Sequence, residues 1–312
     1  MSGSRVIALG HYQPAKVLTN DELAAMVDTS DEWIRSRVGI RTRRIAGPDE
    51  TVDAMAGEAA AKALALSGLD PAAIDLVLVA TCTAVDRSPN TAARVAARLG
   101  LASPAVMDVN VVCSGFTHAL ASADHAIRAG AATNALVVGV EKFTDVVDWT
   151  DRSTCVLVGD GAGAAVVSAS EEPGIGPVVW GSVPDMGHAV RIEGTPSRFA
   201  QEGQSVYRWA TTQLPPIARS VCERAGVAPE ELAAVVLHQA NLRIIEPVAR
   251  RIGAVNAVIA TDVTESGNTS AASIPLALSK LVERGAIPSG APVLLFGFGG
   301  NLSYAGQVIR CP

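Results

Sequence analysis

Val95-Ala-Ala-Arg-Leu-Gly100 returns 153 residues later as Val248-Ala-Arg-Arg-Ile-Gly253, and each copy stands in the same order of elements. An apolar strand-like run precedes each motif, Leu76–Ala80 in one case and Ala233–Leu237 in the other. A second strand follows, then a sharp polar turn, an Ala/Ser-rich helix ending in Gly130 or Gly285, and a Val/Leu-rich strand ending in Gly139 or Gly297. One six-residue match, identical at four positions, could be chance; the shared order of elements carries the inference. It predicts two similar halves, 1–170 and 171–312.

Apolar β-rich runs alternate with Ala-rich stretches along most of the chain, the pattern of an α/β protein with buried strands. Strands are expected at Leu76–Ala80, Val106–Val112, Ala135–Val140, Ala162–Val167, Ala233–Leu237, Ala257–Ala260, Val293–Phe296 and Gly306–Ile309. Helices are expected at Thr91–Leu99, Gly115–Ala129, Val206–Ala225, Ile244–Ile252 and Ala271–Glu283. With 49% apolar residues in 312, such a chain can bury a large core and be soluble. Its 25 Lys+Arg against 31 Asp+Glu argue against general nucleic-acid binding, which needs a basic surface. No apolar stretch approaches the ~20 residues of a membrane span, and Met1–Gly10 does not read as a targeting segment. The five cysteines are scattered and never in C-x-x-C, so neither disulfides nor a metal site is expected, and the setting reads as cytoplasmic.

Duplication has a chemical consequence, because corresponding strand-to-helix corners of related halves can meet at one site. Cys113 stands between the expected strand Val106–Val112 and the helix Gly115–Ala129, where free N–H groups and the helix dipole favour a thiolate. A free cysteine is otherwise a small core residue, and Cys82 is read that way. His238 abruptly ends an apolar strand in Val235-Val236-Leu237-His238-Gln239-Ala240-Asn241, and Gly267-Asn268 opens the matching helix of the second half. Taken singly, these are a structural histidine and an ordinary turn. Together they supply a sulfur, an imidazole and a carboxamide, a set suited to acyl transfer through a thioester.

Two glycine-rich segments, Gly159–Ala164 and Gly297–Asn301, fail the dinucleotide and P-loop patterns; the second can offer backbone N–H groups to a site. Five arginines fall between positions 35 and 44, close to Trp33. They form either a solvated basic face or a place to stack an adenine and hold the phosphates of a small ligand. Arg243, Arg250 and Arg251 make a weaker basic group that is either solvated or turned to an acidic partner protein.

Over nearly its whole length the chain resembles β-ketoacyl-acyl carrier protein synthase III, a condensing-enzyme family of the thiolase superfamily. The residues that carry this are Asp31-Glu32-Trp33-Ile34, Gly39-Ile40-Arg41-Thr42-Arg43, Cys113-Ser114-Gly115-Phe116 and Gly159-Asp160-Gly161-Ala162-Gly163-Ala164. His238-Gln239-Ala240-Asn241 and Gly267-Asn268-Thr269-Ser270-Ala271-Ala272-Ser273 complete the set. The resemblance implies a thiolase-like five-layered αβαβα fold from two duplicated halves, and a homodimer. It implies that Cys113 takes an acyl group from an acyl-CoA, after which malonyl-acyl carrier protein loses CO₂ and attacks the thioester. His238 and Asn268 would donate hydrogen bonds to the enolate, and backbone N–H groups of Cys113 and Asn301 would form the oxyanion hole of acyl transfer. The helix after Cys113 would keep its sulfur ionised.

Trp33 and Arg152 would sandwich the adenine of coenzyme A, with Thr29 and Arg37 near its nucleotide and Gln204 and Asn241 along its pantetheine. Arg243 would dock the carrier protein. No cofactor is implied, coenzyme A being part of a substrate. Three departures stand out: Asn301 replaces the expected loop glycine, residues 181–202 form a short stretch that leaves the ligand tunnel more open, and Ser88 replaces an aromatic floor of the acyl pocket. The last predicts room for a larger or branched primer. A bare acyltransferase, a starter-unit ketosynthase of a polyketide pathway and a non-catalytic thiolase-fold protein are the rival readings.

Overall fold

In the computed structural model, which describes residues 3–312, two five-stranded sheets have the same strand order and the same polarity. The first contains β1 (Gly3–Tyr12), β2 (Leu76–Ala80), β3 (Ala105–Val109), β4 (Asn134–Lys142) and β5 (Asp160–Ser170), in the order β1-β5-β4-β2-β3. The second contains β6 (Val179–Gly181), β7 (Ala234–Leu237), β8 (Val258–Ile259), β9 (Pro292–Phe298) and β10 (Tyr304–Arg310), in the order β6-β10-β9-β7-β8. In each, the last three strands named run parallel and the remaining pairings are antiparallel. The first sheet is thus drawn from residues 3–170 and the second from residues 179–310.

Seven longer helices are α1 (Asp31–Val38), α2 (Val52–Ser67), α3 (Thr91–Arg98), α4 (Gly115–Arg128), α5 (Gly203–Ala225), α6 (Leu242–Ile252) and α7 (Ser273–Glu283). The helices α2 and α3 cover the outer face of the first sheet, α5 and α6 that of the second, and α4 and α7 touch both sheets from between them. This is the five-layered thiolase-like order. The alternation of side chains along a strand makes it visible in single residues. Leu76, Leu78 and Ala80 of β2 point into the central layer, and Val77 and Val79 point to the outer helices. In β9, Val293 and Leu295 face the centre while Leu294 and Phe296 face the other way. Strands covered on both faces read as continuous apolar runs, which is why they were recognisable.

Two strands of these five-stranded sheets lie outside those expected: β1, whose Gly, Ser, Arg and His dilute its apolar character, and β6, only three residues long. Residues 17–44 also depart from a clean two-half division. Leu23 and Ile34 there are buried in the hydrophobic cluster of the second half.

The decisive correspondence lies at the central corners. Three-residue 3₁₀ turns, Val112–Ser114 and Ser270–Ala272, lead directly into α4 and α7. Each begins with a non-glycine residue in the left-handed region, Val112 at φ 46° and Ser270 at φ 45°. Such strain, of order 1–3 kcal/mol per residue, persists where surroundings over-determine it. The strand expected to reach Val112 therefore stops at Val109, and Cys113 sits on the turn itself.

Close approach of the corners requires glycine at matching places on β4 and β9. A Cβ on Gly297 would lie 2.5 Å from Thr117 Oγ1, and one on Gly139 would overlap the Ala271 carbonyl. Gly139→Ala is therefore expected to cost about 1–3 kcal/mol, as overpacking does. An unchanged urea midpoint would refute the contact.

Candidate active site

A cavity of about 730 Å³ brings together Cys113, His238 and Asn268 from these corners. Its closed end holds buried Cys113 and His238, whereas Arg37, Gln204, Arg208 and Arg243 at its other end are exposed. The cavity thus leads from a basic mouth to a buried sulfur.

Burial pushes the Cys113 thiol up to about 11; the Ser270 hydroxyl and the Gly300 N–H oppose that shift, and Glu141 adds to it. The expectation that the following helix keeps the sulfur ionised is corrected: the resting group is a thiol, because desolvation outweighs the local donors. Alkylation of Cys113 by iodoacetamide should accelerate about tenfold per pH unit from pH 7 to 10. A plateau below pH 8 would contradict this assignment.

His238 directly follows β7 and is only 2% exposed. Burial pulls its imidazole down to about 3, so the ring is neutral at physiological pH and protonates only as the pH falls through that value. Its Nδ1 lies 2.8 Å from Ser273 Oγ, which also accepts the Gln239 N–H at 3.3 Å. The Ser273 hydroxyl takes up Nδ1, which leaves Nε2 as the ring nitrogen for the cavity; in the tautomer protonated there, the hydroxyl donates to Nδ1 and Nε2 is a hydrogen-bond donor. Phe298 packs edge-on against the imidazole, ring centroids 5.4 Å apart.

Asn268 is fixed by three hydrogen bonds. Its N–H donates to the Leu157 carbonyl at 2.8 Å, its carbonyl accepts from Gly159 N–H at 3.1 Å, and its Oδ1 accepts from Ser270 N–H at 2.9 Å. Occupying Oδ1 in this way identifies Nδ2 as the outward donor. The site therefore has a nucleophile and two neutral donors, an arrangement for stabilising negative charge on an oxygen in a dry pocket.

The family model for 3-oxoacyl-[acyl-carrier-protein (ACP)] synthase III matches residues 107–184, and its C-terminal counterpart matches residues 222–311. The β-ketoacyl-[acyl-carrier-protein] synthase III 2 of Streptomyces avermitilis is 79% identical, with all of both chains covered. This chain belongs to the 3-oxoacyl-[acyl-carrier-protein] synthase III family. Among solved structures, a priming β-ketosynthase of a polyketide biosynthetic pathway superposes with a TM-score of 0.96 at 43% identity, covering 99% of this chain and 96% of the other. The synthase III of Aquifex aeolicus gives 0.94 at 40% identity, covering 99% and 100%.

Set against this synthase III family, the remaining expected residues divide. Trp33, Arg37, Gln204, Asn241 and Arg243 line the cavity. Arg152 lies outside its lining, but its guanidinium carbon is 5.0 Å from the centroid of the Trp33 ring. Thr29 does not line the cavity; its buried hydroxyl has no hydrogen-bond partner. Asn301 is corrected: it is exposed, and the loop N–H directed at the Cys113 sulfur is that of Gly300. A Cβ on Gly299 would lie 2.8 Å from that sulfur, so the two glycines permit the approach and Asn301 takes the outward turn.

Ser88 does not line this cavity. It is exposed, in a segment drawn outward to α3 by the Arg94–Asp86 ion pair and by Arg94 donating to the Pro89 carbonyl. Residues 181–202 do not leave the tunnel open. They form a hairpin, Val190–Glu193 with Arg198–Gln201, whose Val190, Phe199 and Gln201 wall it.

Sequence reasoning missed Phe143, Phe199 and Phe298, which give the cavity an aromatic lining, and the exposed Arg208. It also missed buried Glu141, which accepts from Thr83 Oγ1 at 2.7 Å and Cys82 Sγ at 3.2 Å, so Cys82 is more than core filling. A charged residue ending the apolar run of β4 was the available signal.

Proposed function

We propose that this chain carries out a decarboxylative condensation that initiates fatty acid synthesis, joining the acyl group of an acyl-CoA to the malonyl group of malonyl-acyl carrier protein. The observation that carries the reading is the convergence of Cys113, His238 and Asn268 in one cavity with a basic mouth. In the first half-reaction, the Cys113 thiol gives up its proton as its sulfur attacks the thioester carbonyl, the carbon–sulfur bond to coenzyme A breaks, and coenzyme A leaves as its thiol with that proton. The N–H groups of Cys113 and Gly300, both directed at the sulfur, are placed for the tetrahedral oxyanion. In the second, the malonyl thioester loses CO₂, His238 Nε2 and Asn268 Nδ2 hold the enolate oxygen, and the carbanion takes the acyl group from Cys113. No charged imidazole is needed, because hydrogen-bond donation suffices.

Trp33 with Arg152 suits a stacked adenine, Arg37 its phosphates, and Gln204 and Asn241 the pantetheine arm; Thr29 lies on the neighbouring loop. Asn241 caps α6 by accepting the Ile244 N–H through Oδ1, which leaves its amide free to donate. Arg243, exposed at the mouth, suits an acidic carrier protein. The chemistry draws on side chains, backbone donors and the thioesters, with no cofactor or metal.

A second copy of the chain is expected along β3. That strand is the edge of its sheet, with Met107 49% exposed, and open edges are normally covered. Asn90 ties the Ser88 segment to Val106 of β3, so Ser88 would face that copy. Sedimentation should show a homodimer that Met107→Lys weakens; a wild-type monomer at micromolar concentration would reject it.

The central test combines acyl-CoA with malonyl-carrier protein. A 3-oxoacyl product with released CO₂ is expected, and acyl transfer without CO₂ would replace condensation by the bare acyltransferase reading. The structural likeness to a priming ketosynthase favours a starter-unit role as the second reading, separated from the first by which carrier protein is accepted.

A further inference from the structure

We propose that Arg43 is a positioning residue for the decarboxylation step: it forms the floor beneath Asn268, and its unpaired charge supports the negative charge that develops above it. This rests on the condensing reading given above.

Arg43 lies in the short strand Thr42–Arg44, which pairs with Val17–Thr19, and it is fully buried. Buried guanidinium groups normally pair with carboxylates. Here Nη1 donates to Asn20 Oδ1 at 2.7 Å, Nη2 donates to the Val156 carbonyl at 2.8 Å, and Nε has no partner. Among the described residues, no ion pair includes Arg43. Burial draws its pKa down to about 10, which leaves it cationic at neutral pH. Nothing nearby on the protein neutralises that charge, and a transient anion in the adjoining cavity would be attracted to it.

The geometry ties this side chain to one catalytic corner. The Arg43 stem is gripped by two glycines: a Cβ on Gly159 would lie 3.2 Å from Arg43 Cβ, and one on Gly267 3.1 Å. Gly267 directly precedes Asn268, and the Gly159 N–H holds the Asn268 carbonyl. Val156, whose carbonyl Arg43 holds, lines the cavity together with Leu157, the acceptor of the Asn268 N–H. The adjacent residues reinforce the link. Arg41 N–H donates to the Thr264 carbonyl at 2.7 Å, and Thr42 Oγ1 donates to the Glu265 carbonyl at 2.9 Å. Three consecutive residues thus pin the turn that carries Asn268. The groups acting most on the Cys113 thiol are Ser270, Gly300 and Glu141 instead.

The prediction is an unequal effect on the two half-reactions. In Arg43→Met, the rate of Cys113 acylation by acyl-CoA, followed by rapid quench and mass spectrometry, should stay within about threefold of wild type. Release of ¹⁴CO₂ from malonyl-carrier protein by the acylated enzyme should fall about tenfold or more, the scale expected of a misplaced or unsupported oxyanion donor. Arg43→Lys keeps the charge but cannot bridge Asn20 and Val156 as a fork does, so the ratio of decarboxylation to acylation should fall between those of Met and wild type. Should the Met variant not fold, a several-fold drop of that ratio in Arg43→Lys is the expected result. A ratio unchanged in the folded variants, with both half-reactions slowed equally or neither slowed, overturns the role of Arg43. Failure of wild type to release CO₂ would instead overturn the condensing reading itself.

Discussion

Cys113→Ala should show no covalent acyl adduct after incubation with acyl-CoA, and condensation should fall by roughly 10⁴-fold or more, as expected when a covalent nucleophile is lost. Only a sulfur atom is removed, at a site where Cys113 is 8% exposed, so the folded state should survive. The cost of the small void is about 1 kcal/mol. Decarboxylation of malonyl-carrier protein should persist at a measurable level, because His238 and Asn268 remain in place and neither relies on the sulfur for its orientation. An adduct retained in this variant, located by peptide mapping to another residue such as Cys82, would remove Cys113 from its role.

The architecture was legible because its strands are wrapped on both faces. Continuous runs such as Leu76–Ala80 can be read without periodicity analysis, and the matching motifs ending at Gly100 and Gly253 revealed the duplication. The site was less legible wherever one residue's step along the backbone decides the outcome. In Gly299-Gly300-Asn301, all three residues carry an N–H, and only the fold determines which one turns towards Cys113. Similarly, the sequence puts position 88 at the floor of an acyl pocket, but where a residue after β2 points depends on the Arg94 contacts that fold the segment onto α3. Arg43 was counted in a basic cluster, yet its fate differs from that of Arg35, which pairs with Asp31 at the surface, and of Arg37, which lines the cavity. Residues of one type in one run are sorted only by the tertiary packing. The thiol is another such case: helix position favours ionisation, and burial, which sequence does not display, prevails.

Loss of either donor should separate the two half-reactions in the opposite sense from loss of the nucleophile. His238→Ala and Asn268→Ala should each lower decarboxylation and condensation by roughly 10²–10³-fold, the usual consequence of deleting one preorganised donor. Cys113 should still become acylated in both, since its own oxyanion donors are backbone groups. Asn268→Asp is the sharper probe. It preserves size and the Ser270 N–H contact to Oδ1, but exchanges the Nδ2 donor for a carboxylate oxygen facing the developing enolate. Its activity should fall at least as far as that of Asn268→Ala; recovery towards wild type would mean that Asn268 acts only as a spacer. Ser273→Ala tests the histidine through its tautomer. Without the hydroxyl 2.8 Å from Nδ1, the ring loses the partner that orients it and that donates to Nδ1 in the Nε2-protonated tautomer, and condensation should drop by about tenfold while acylation is maintained. The effects of His238→Ala and Asn268→Ala should fall short of multiplying in the double variant, because both donors serve the same oxygen.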